Sequence, residues 1–139
     1  MSLYEQFKTN VALEKEGIWI NYGENSAGKP IRIRVARSGG SNMKYAKCME
    51  RLARPYRRQI QNETIEPEVL EDLLQKVYAE TVVLGWEGVE DEQGREMAFT
   101  QENCLKLLKD LPELFRDIQE QTQRAALFRE AVREDDAKN

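Results

Sequence analysis

The chain has 139 residues, of which 40% are hydrophobic and 33% are charged, and its formal net charge is −4. A chain of this length forms a single domain whose core is large enough to need no disulfide or metal. Because it contains no histidine, Ser-His-Asp catalysis, Cys-His catalysis and histidine-ligated metal sites are excluded. Its two cysteines, Cys48 and Cys104, lie too far apart to form a CxxC zinc motif. We therefore expect a protein that is not an enzyme, with no catalytic residues, no metal and no cofactor.

The sequence carries no pattern typical of a membrane protein. No run of about 18 apolar residues is present, and the stretch from Met1 to Glu5 lacks the basic and apolar parts of a signal peptide. An unpaired cysteine in each half of the chain is typical of a reducing cytosol. We expect a soluble intracellular protein that does not associate with membranes.

Charge is distributed unevenly along the chain. Residues 29–58 contain ten basic side chains and one acidic side chain, a net charge of +9. Residues 59–139 contain nine basic and twenty acidic side chains, a net charge of −11. This separation indicates that the two segments face each other or face partners of opposite charge.

Two elements are predicted near the N-terminus. The apolar residues Leu3, Tyr4 and Phe7 suit one short helical turn, with Ser2 in position to cap it. Over residues 17–37, two runs of alternating apolar and polar residues flank a turn-rich stretch. This pattern predicts a β-hairpin with one buried face and one basic, hydrated face.

The turn-rich stretch, from Gly23 to Lys29, matches seven positions of the phosphate-binding pattern GxxxxGK[ST]. Pro30 occupies the eighth position, where magnesium needs a hydroxyl group, and a second strand rather than a helix follows. We therefore interpret the stretch as a hairpin turn.

A helical pattern begins after the hairpin. Ser41 is placed to cap a helix that starts at Asn42, and Pro55 is expected to kink or divide that helix. The next helix opens with Pro67 in its first turn, and Gly85 is expected to end it.

Shorter elements are predicted in the last third of the chain. Residues 97–99 suit a short strand before a helix capped by Thr100, and a break at residues 110–112 separates that helix from the last one. A further apolar patch over residues 125–132 either docks back on the hairpin or offers a helix to another chain. The charged tail, residues 134–139, is predicted to be disordered.

These elements predict an α+β fold that is mainly helical, with an N-terminal β-hairpin packed against four to five helices. Residues 1–133 form a single small domain in this prediction. Within it, residues 17–37 are the hairpin and residues 42–133 are the helical part, while the tail of residues 134–139 lies outside.

Several side chains are candidates for binding a partner. The basic segment 44–58 either contacts nucleic acid or forms a solvated face that pairs with acidic helices of the same or a neighbouring copy. Because the chain as a whole is acidic, a protein partner or self-association is favoured over nucleic acid. The tryptophan that follows a helix stop is either a core anchor or a binding platform. The candidate partner-binding residues are Arg51, Arg54, Arg57, Arg58, Trp86, Leu127, Phe128 and Val132.

A series of short motifs follows in the second half of the chain. They are Val82-Val83-Leu84-Gly85-Trp86-Glu87-Gly88-Val89, then Gly94, Phe99, Glu102-Asn103 and Leu107-Leu108-Lys109-Asp110-Leu111-Pro112-Glu113-Leu114. In this order they resemble the tail assembly chaperones and related small tail proteins of long-tailed, lambda-like bacteriophages and prophages. Those proteins tend to carry a GW-x-GV turn, an acidic glycine-containing loop, and EN ahead of a leucine-rich helix that ends at LP. The resemblance extends over residues 17–133.

The resemblance implies a non-enzymatic assembly factor. Such a protein binds the tape measure protein, keeps its apolar helices soluble and helps to recruit the tail tube protein. It would act in the cytoplasm of the bacterial host and would be absent from the mature virion. The separation of positive and negative charge along the chain favours head-to-tail association of copies, so we also expect a homo-oligomer. Two alternatives stay open, a structural virion protein (a head–tail joining or tail component) and a nucleic-acid-binding protein that uses the basic segment 44–58.

Overall fold

The computed structural model of the protein describes residues 2–129, so the predicted disordered tail and Val132 lie outside the described residues. In chain order the helices and strands of this part are α1 (Leu3–Phe7), α2 (Val11–Glu16), β1 (Ile18–Glu24), β2 (Pro30–Val35), α3 (Met43–Ala53), α4 (Arg57–Gln61), α5 (Pro67–Thr81), β3 (Val83–Glu87), α6 (Gln101–Asp110) and α7 (Pro112–Gln123). Two short 3-10 turns cover Arg54–Tyr56 and Ala125–Phe128, and we call the second the C-terminal turn. The predicted α+β, mainly helical fold is confirmed.

The predicted hairpin forms the first two strands of a small antiparallel sheet with the order β1-β2-β3. Ile20 lies opposite Ile33, which in turn lies opposite Trp86, and all three side chains face the core. Neighbouring positions carry Trp19 and Arg32, which stack on the other face with the guanidinium 4.7 Å from the ring centroid. The sheet therefore has one face on the core and one in water, as the alternation of the sequence predicts.

The structure differs from the prediction at the end of α5. The helix expected to run to Gly85 ends at Thr81, and Val83–Glu87 joins the sheet as β3. A short apolar run does not distinguish a buried helix end from a buried strand. Pairing with β2 satisfies the backbone groups of this run and buries Val83, so the strand is the more stable outcome.

The prediction of a short strand at residues 97–99 is wrong. These residues are not a strand, and the segment before them contributes an isolated bridge between Glu90 and Glu96. Met97 N–H donates to the carbonyl of Val89 at 2.9 Å, which holds the segment beside β3 without extending the sheet.

Pro55 divides its helix rather than kinking it. α3 ends at Ala53, a single 3-10 turn carries the proline, and α4 begins at Arg57. Proline has no backbone N–H and clashes with the preceding turn, so a continuous α-helix cannot pass through this position.

The core lies between the sheet and the helices α5, α6 and α7. Tyr78 is at its centre, with edge-to-face contacts to Phe115 at 5.3 Å and to Tyr45 at 5.9 Å between ring centroids. The Tyr22 hydroxyl donates to Asp117 Oδ2 at 2.6 Å and joins the hairpin to α7.

Candidate partner-binding surfaces

The hairpin turn between β1 and β2 uses its own backbone donors. Asn25 Oδ1 accepts the N–H groups of Ala27 at 2.9 Å and of Lys29 at 3.0 Å, and Gly28 N–H donates to the Asn25 carbonyl. A phosphate loop needs such N–H groups to point at its ligand. The interpretation as a turn is therefore confirmed.

A second turn, Asp91–Arg95, repeats this hydrogen-bond pattern. Asp91 Oδ1 accepts the N–H groups of Gln93 and Arg95, each at 2.9 Å, and the Arg95 N–H bond contributes most to lowering the pKa of Asp91. Ser26 Oγ donates to Glu90 Oε2 at 2.7 Å, so the two turns are joined to each other. This contact fixes the acidic loop that follows β3.

The basic segment forms an exposed surface on α3 and α4, which we call the basic ridge. Its members are Lys44, Lys47, Arg54, Arg57 and Arg58, all of them exposed. Arg54 is 3.7 Å from Glu50, with both side chains in water, so this pair is weak. The other four form no ion pair with any carboxylate within residues 2–129. The ridge therefore presents unneutralised positive charge.

Arg51 has a different environment from the other three candidate arginines. Its Nη2 lies 2.7 Å from Glu80 Oε2 on α5, and the Cys48 thiol donates to the same oxygen at 2.9 Å. The bond from Arg51 is the main cause of the lowered pKa of Glu80, while burial raises the pKa of Cys48 to about 12. Arg51 thus joins α3 to α5, and Cys48 stays a protonated thiol.

Trp86 is a core anchor rather than an open platform. It is partly buried, its Nε1–H donates to the carbonyl of Met97 at 2.8 Å, and its ring makes an edge-to-face contact with Phe99 at 5.0 Å. Of the two roles that the sequence left open, the structure favours the anchor that joins β3 to the loop before α6.

The part of the C-terminal apolar patch that the structure describes, residues 125–129, docks on the protein itself. Phe128 is fully buried in the core, and Leu127 is partly buried against it. The Phe128 carbonyl accepts the N–H of Asn10 at 2.9 Å, next to α2 rather than on the hairpin. The prediction of Phe128 as a partner-binding residue is therefore wrong, because its ring has no surface left for a partner.

A buried glutamate fixes α2, the helix that receives the C-terminal turn. Glu14 is 2% exposed, and its carboxylate accepts from Arg37 Nη1 at 2.6 Å, Thr9 Oγ1 at 2.8 Å and Ser41 Oγ at 3.2 Å. Burial alone would raise the pKa of Glu14, but the bonds from these three side chains outweigh it and lower the pKa. Ser41 therefore does not cap α3 as predicted, since its hydroxyl serves Glu14 instead.

The three most exposed of the large apolar side chains of residues 2–129 lie at the other end of the chain. Leu3 is 71% exposed, Tyr4 81%, Phe7 66% and Val11 51%, and α1 has no buried residue. We call Leu3, Tyr4, Phe7 and Val11 the N-terminal apolar face. The predicted helical turn and its Ser2 cap are confirmed, but a partner-binding role for these residues was not among the predictions. The signal that could have shown it was the close spacing of Leu3, Tyr4 and Phe7 within one short helical turn.

A groove of about 630 Å³ runs between the loop after β3 and α6. Its apolar part is formed by Met97, Leu107 and Leu111, the last of which is 48% exposed. Five carboxylates and two basic groups line it, a net charge of −3. The carboxylates belong to Glu90, Asp91, Glu92, Glu96 and Asp110, and the basic groups to Arg95 and Lys106. We call it the acidic groove.

Within residues 2–129, no group of three or more cysteine, aspartate and glutamate side chains is placed to hold a metal ion. None of the described helices is both long enough and apolar enough to cross a membrane.

Comparison with known proteins places this chain among phage proteins. The YdaY prophage protein family matches residues 40–139, a segment that contains the basic ridge and the acidic groove. Neither the curated proteins nor the solved structures contain a match. The phage origin implied by the resemblance is thereby confirmed, and the family match covers more than two thirds of the chain. This protein belongs to the YdaY prophage protein family.

Proposed function

We propose that this prophage protein is a tail assembly chaperone, which binds the tape measure protein and promotes assembly of the tail tube without catalysing a reaction. The observation that carries the proposal is the N-terminal apolar face. Four large apolar side chains on neighbouring short helices are each more than half exposed, and three of them are more exposed than any other large apolar side chain of residues 2–129. Exposed apolar surface of this kind is typical of a site that another protein covers.

The chemistry of such a site suits a helical client. An amphipathic helix contacts a partner through apolar residues at intervals of three and four, and such a stripe needs an exposed apolar surface to pack against, which Leu3, Tyr4 and Phe7 on α1 offer together with Val11 on α2. Covering the apolar helices of the tape measure protein would prevent them from associating with one another. The charged surfaces of this chain would keep the resulting complex in solution.

Co-expression with the tape measure protein of the same prophage tests this proposal. We expect a soluble complex that survives gel filtration. The triple variant Leu3→Ser, Tyr4→Ser, Phe7→Ser should leave the client insoluble, because it removes most of the apolar face. A matched control, Met43→Ser, Ile60→Ser, Leu70→Ser, alters three exposed apolar side chains elsewhere and should behave as the wild type. A client that is equally soluble alone would refute the proposal.

The place of action separates the chaperone from a structural virion protein. A chaperone acts in the cytoplasm of the host and leaves before the particle is complete. Mass spectrometry of purified particles should therefore not detect this chain. Its presence in stoichiometric amounts would favour the head–tail joining or tail component instead.

Nucleic-acid binding is the second candidate, because four cations of the basic ridge have no carboxylate partner among the described residues. A salt titration of binding to random duplex DNA distinguishes the two functions. If the ridge contacts phosphates, the binding constant should fall steeply as the salt concentration rises. On a double-logarithmic plot, the slope should be close to the number of phosphate contacts. We expect negligible binding even in dilute buffer, since the rest of the chain is acidic.

A further inference from the structure

We propose that copies of this chain associate head to tail, with the basic ridge of one copy seated in the acidic groove of the next. The inference rests on the proposed function for its role, which is to place several copies along one elongated client. The occupant of the groove is a second copy of this chain, and the opposite charges of the two surfaces favour this pairing.

The basic ridge has the form of a helical ligand. Lys44 and Lys47 lie on α3, Arg54 follows in the 3-10 turn, and Arg57 and Arg58 begin α4, so the five cations are exposed along consecutive helical elements. Because no carboxylate of the described chain neutralises four of the five ridge cations, their charge is free to meet a partner.

The acidic groove has complementary properties. Two of its carboxylates, Glu92 and Glu96, are exposed and form no ion pair with any basic group of residues 2–129. Beside them, Leu107 and Leu111 offer apolar surface that the aliphatic stems of arginine and lysine can cover. An apolar floor with a carboxylate rim suits a basic helix better than a neutral or acidic one.

The two surfaces do not meet within one copy. α5 packs against α3 on one side and against α6 on another, while α3 and α6 do not pack closely against each other. The ridge on α3 and the groove beside α6 therefore belong to different parts of the surface. Contact between them requires two copies, and because the two patches differ, the interface is heterologous and builds either a ring or an open chain of copies.

Charge-reversed variants, examined by sedimentation after nuclease treatment in about 0.1 M salt or less, test this arrangement. The wild type should associate in a concentration-dependent manner. The ridge variant (Arg54→Glu, Arg57→Glu, Arg58→Glu) and the groove variant (Glu92→Lys, Glu96→Lys) should each weaken association at least about tenfold. Mixing the two variants should restore it, because each reversed surface then faces a complementary one.

Matched controls keep the total charge change constant. Lys8→Glu, Lys15→Glu, Arg124→Glu corresponds to the ridge variant, and Glu5→Lys, Glu120→Lys corresponds to the groove variant. All five side chains are exposed and lie outside both surfaces. These controls should associate as the wild type does, whereas an equal loss would show that net charge alone is responsible and would overturn the proposal.

Other occupants give different results, each of which overturns the proposal. A wild type that is monomeric in dilute buffer has no such interface. Association that disappears on nuclease treatment assigns the ridge to nucleic acid. Association seen only after Glu134→Lys, Asp135→Lys, Asp136→Lys assigns the ridge to the acidic end of the same chain. The ridge and groove variants leave the N-terminal apolar face unchanged. Co-purification of these variants with the tape measure protein therefore tests the proposed function independently of self-association.

Discussion

The two ends of the described chain carry similar apolar clusters with opposite fates. At one end, Leu3, Tyr4 and Phe7 lie in water on α1, which buries no residue. At the other, Phe128 is fully buried and Leu127 packs against the core. Both clusters are short, aromatic and flanked by polar residues, so their composition does not explain the difference.

The difference arises from the contacts that each end makes with α2. The C-terminal turn contacts α2 through the hydrogen bond from Asn10 N–H to the Phe128 carbonyl, and the ring of Phe128 packs in the core. The N-terminal apolar face precedes α2 and extends onto its first residue, Val11, without turning inward. One end therefore stabilises the fold, while the other contributes surface for a partner.

The largest expected effect is a difference in the free energy of unfolding between alanine variants of Phe128 and Phe7. Phe128→Ala should lower the free energy of unfolding by about 3–5 kcal/mol, because it leaves a cavity in the core. Phe7→Ala should change it by less than about 0.5 kcal/mol, since that ring already contacts water. Urea denaturation of both variants measures the contrast, and equal effects would show that the two ends are not different in kind.

A smaller loss of stability is expected for a substitution of Glu14, the buried glutamate of α2. Glu14→Gln should lower the free energy of unfolding by about 1–3 kcal/mol, because it removes the charge from a buried carboxylate bonded to Arg37. Glu16→Gln on the same helix alters an exposed carboxylate and is the matched control. A loss as large in the control would contradict the role assigned to Glu14.

The same carboxylate predicts a dependence on pH. The folded pKa of Glu14 lies below its ordinary value of 4.5, so its contribution is complete above that pH and is lost as the pH falls towards the folded pKa. Urea titrations across this acidic range should show the loss in the wild type. Glu14→Gln should lack this part of the pH dependence, and identical profiles would be inconsistent with the lowered pKa.

The hydroxyl at the end of α7 should have a more modest effect. Thr122 is fully buried, and its Oγ1 donates to the Ile118 carbonyl at 2.6 Å beside the Ser38 hydroxyl at 3.1 Å. Thr122→Val should therefore cost about 1 kcal/mol in thermal or urea unfolding. A neutral substitution would mean that the segment before the C-terminal turn does not depend on this contact.

The smallest effect on stability is expected at the N-terminal apolar face. The variant Leu3→Ser, Tyr4→Ser, Phe7→Ser should leave the free energy of unfolding within about 0.5 kcal/mol of the wild type. Because it removes exposed apolar surface, it should reduce the binding of a hydrophobic-surface dye such as ANS. Marked destabilisation would instead place these side chains in contacts that stabilise the fold.

Local patterns in the sequence predicted much of the fold. The alternation over residues 17–37 predicted the hairpin, and Ser2 and Thr100 cap their helices through bonds at 3.1 Å and 2.9 Å. Pro55 interrupts its helix because proline chemistry acts on the residues next to it. These features depend on interactions within a few residues, which a sequence pattern contains.

The errors concern contacts between distant segments. The run from Val82 onward became β3 because β2 offers it a pairing partner, and Ser41 faces Glu14 because α2 lies beside it. Similarly, Phe128 is buried because the C-terminal turn packs against α2 and α7, whereas α1 buries no residue. Of the candidate partner-binding residues, Arg54, Arg57 and Arg58 are exposed on the ridge, and their role stays a prediction. Arg51, Trp86 and Phe128 make contacts within the fold that no local pattern contains.

Hydrogen exchange of the chain, alone and in complex with the tape measure protein, tests the central claim most directly. We predict that the client slows exchange at backbone amides of residues 3–11, where the N-terminal apolar face lies, and leaves the core amides of α5 and α7 unchanged. Unchanged exchange over residues 3–11 in the presence of the client, or slowing confined to the basic ridge, would contradict the account.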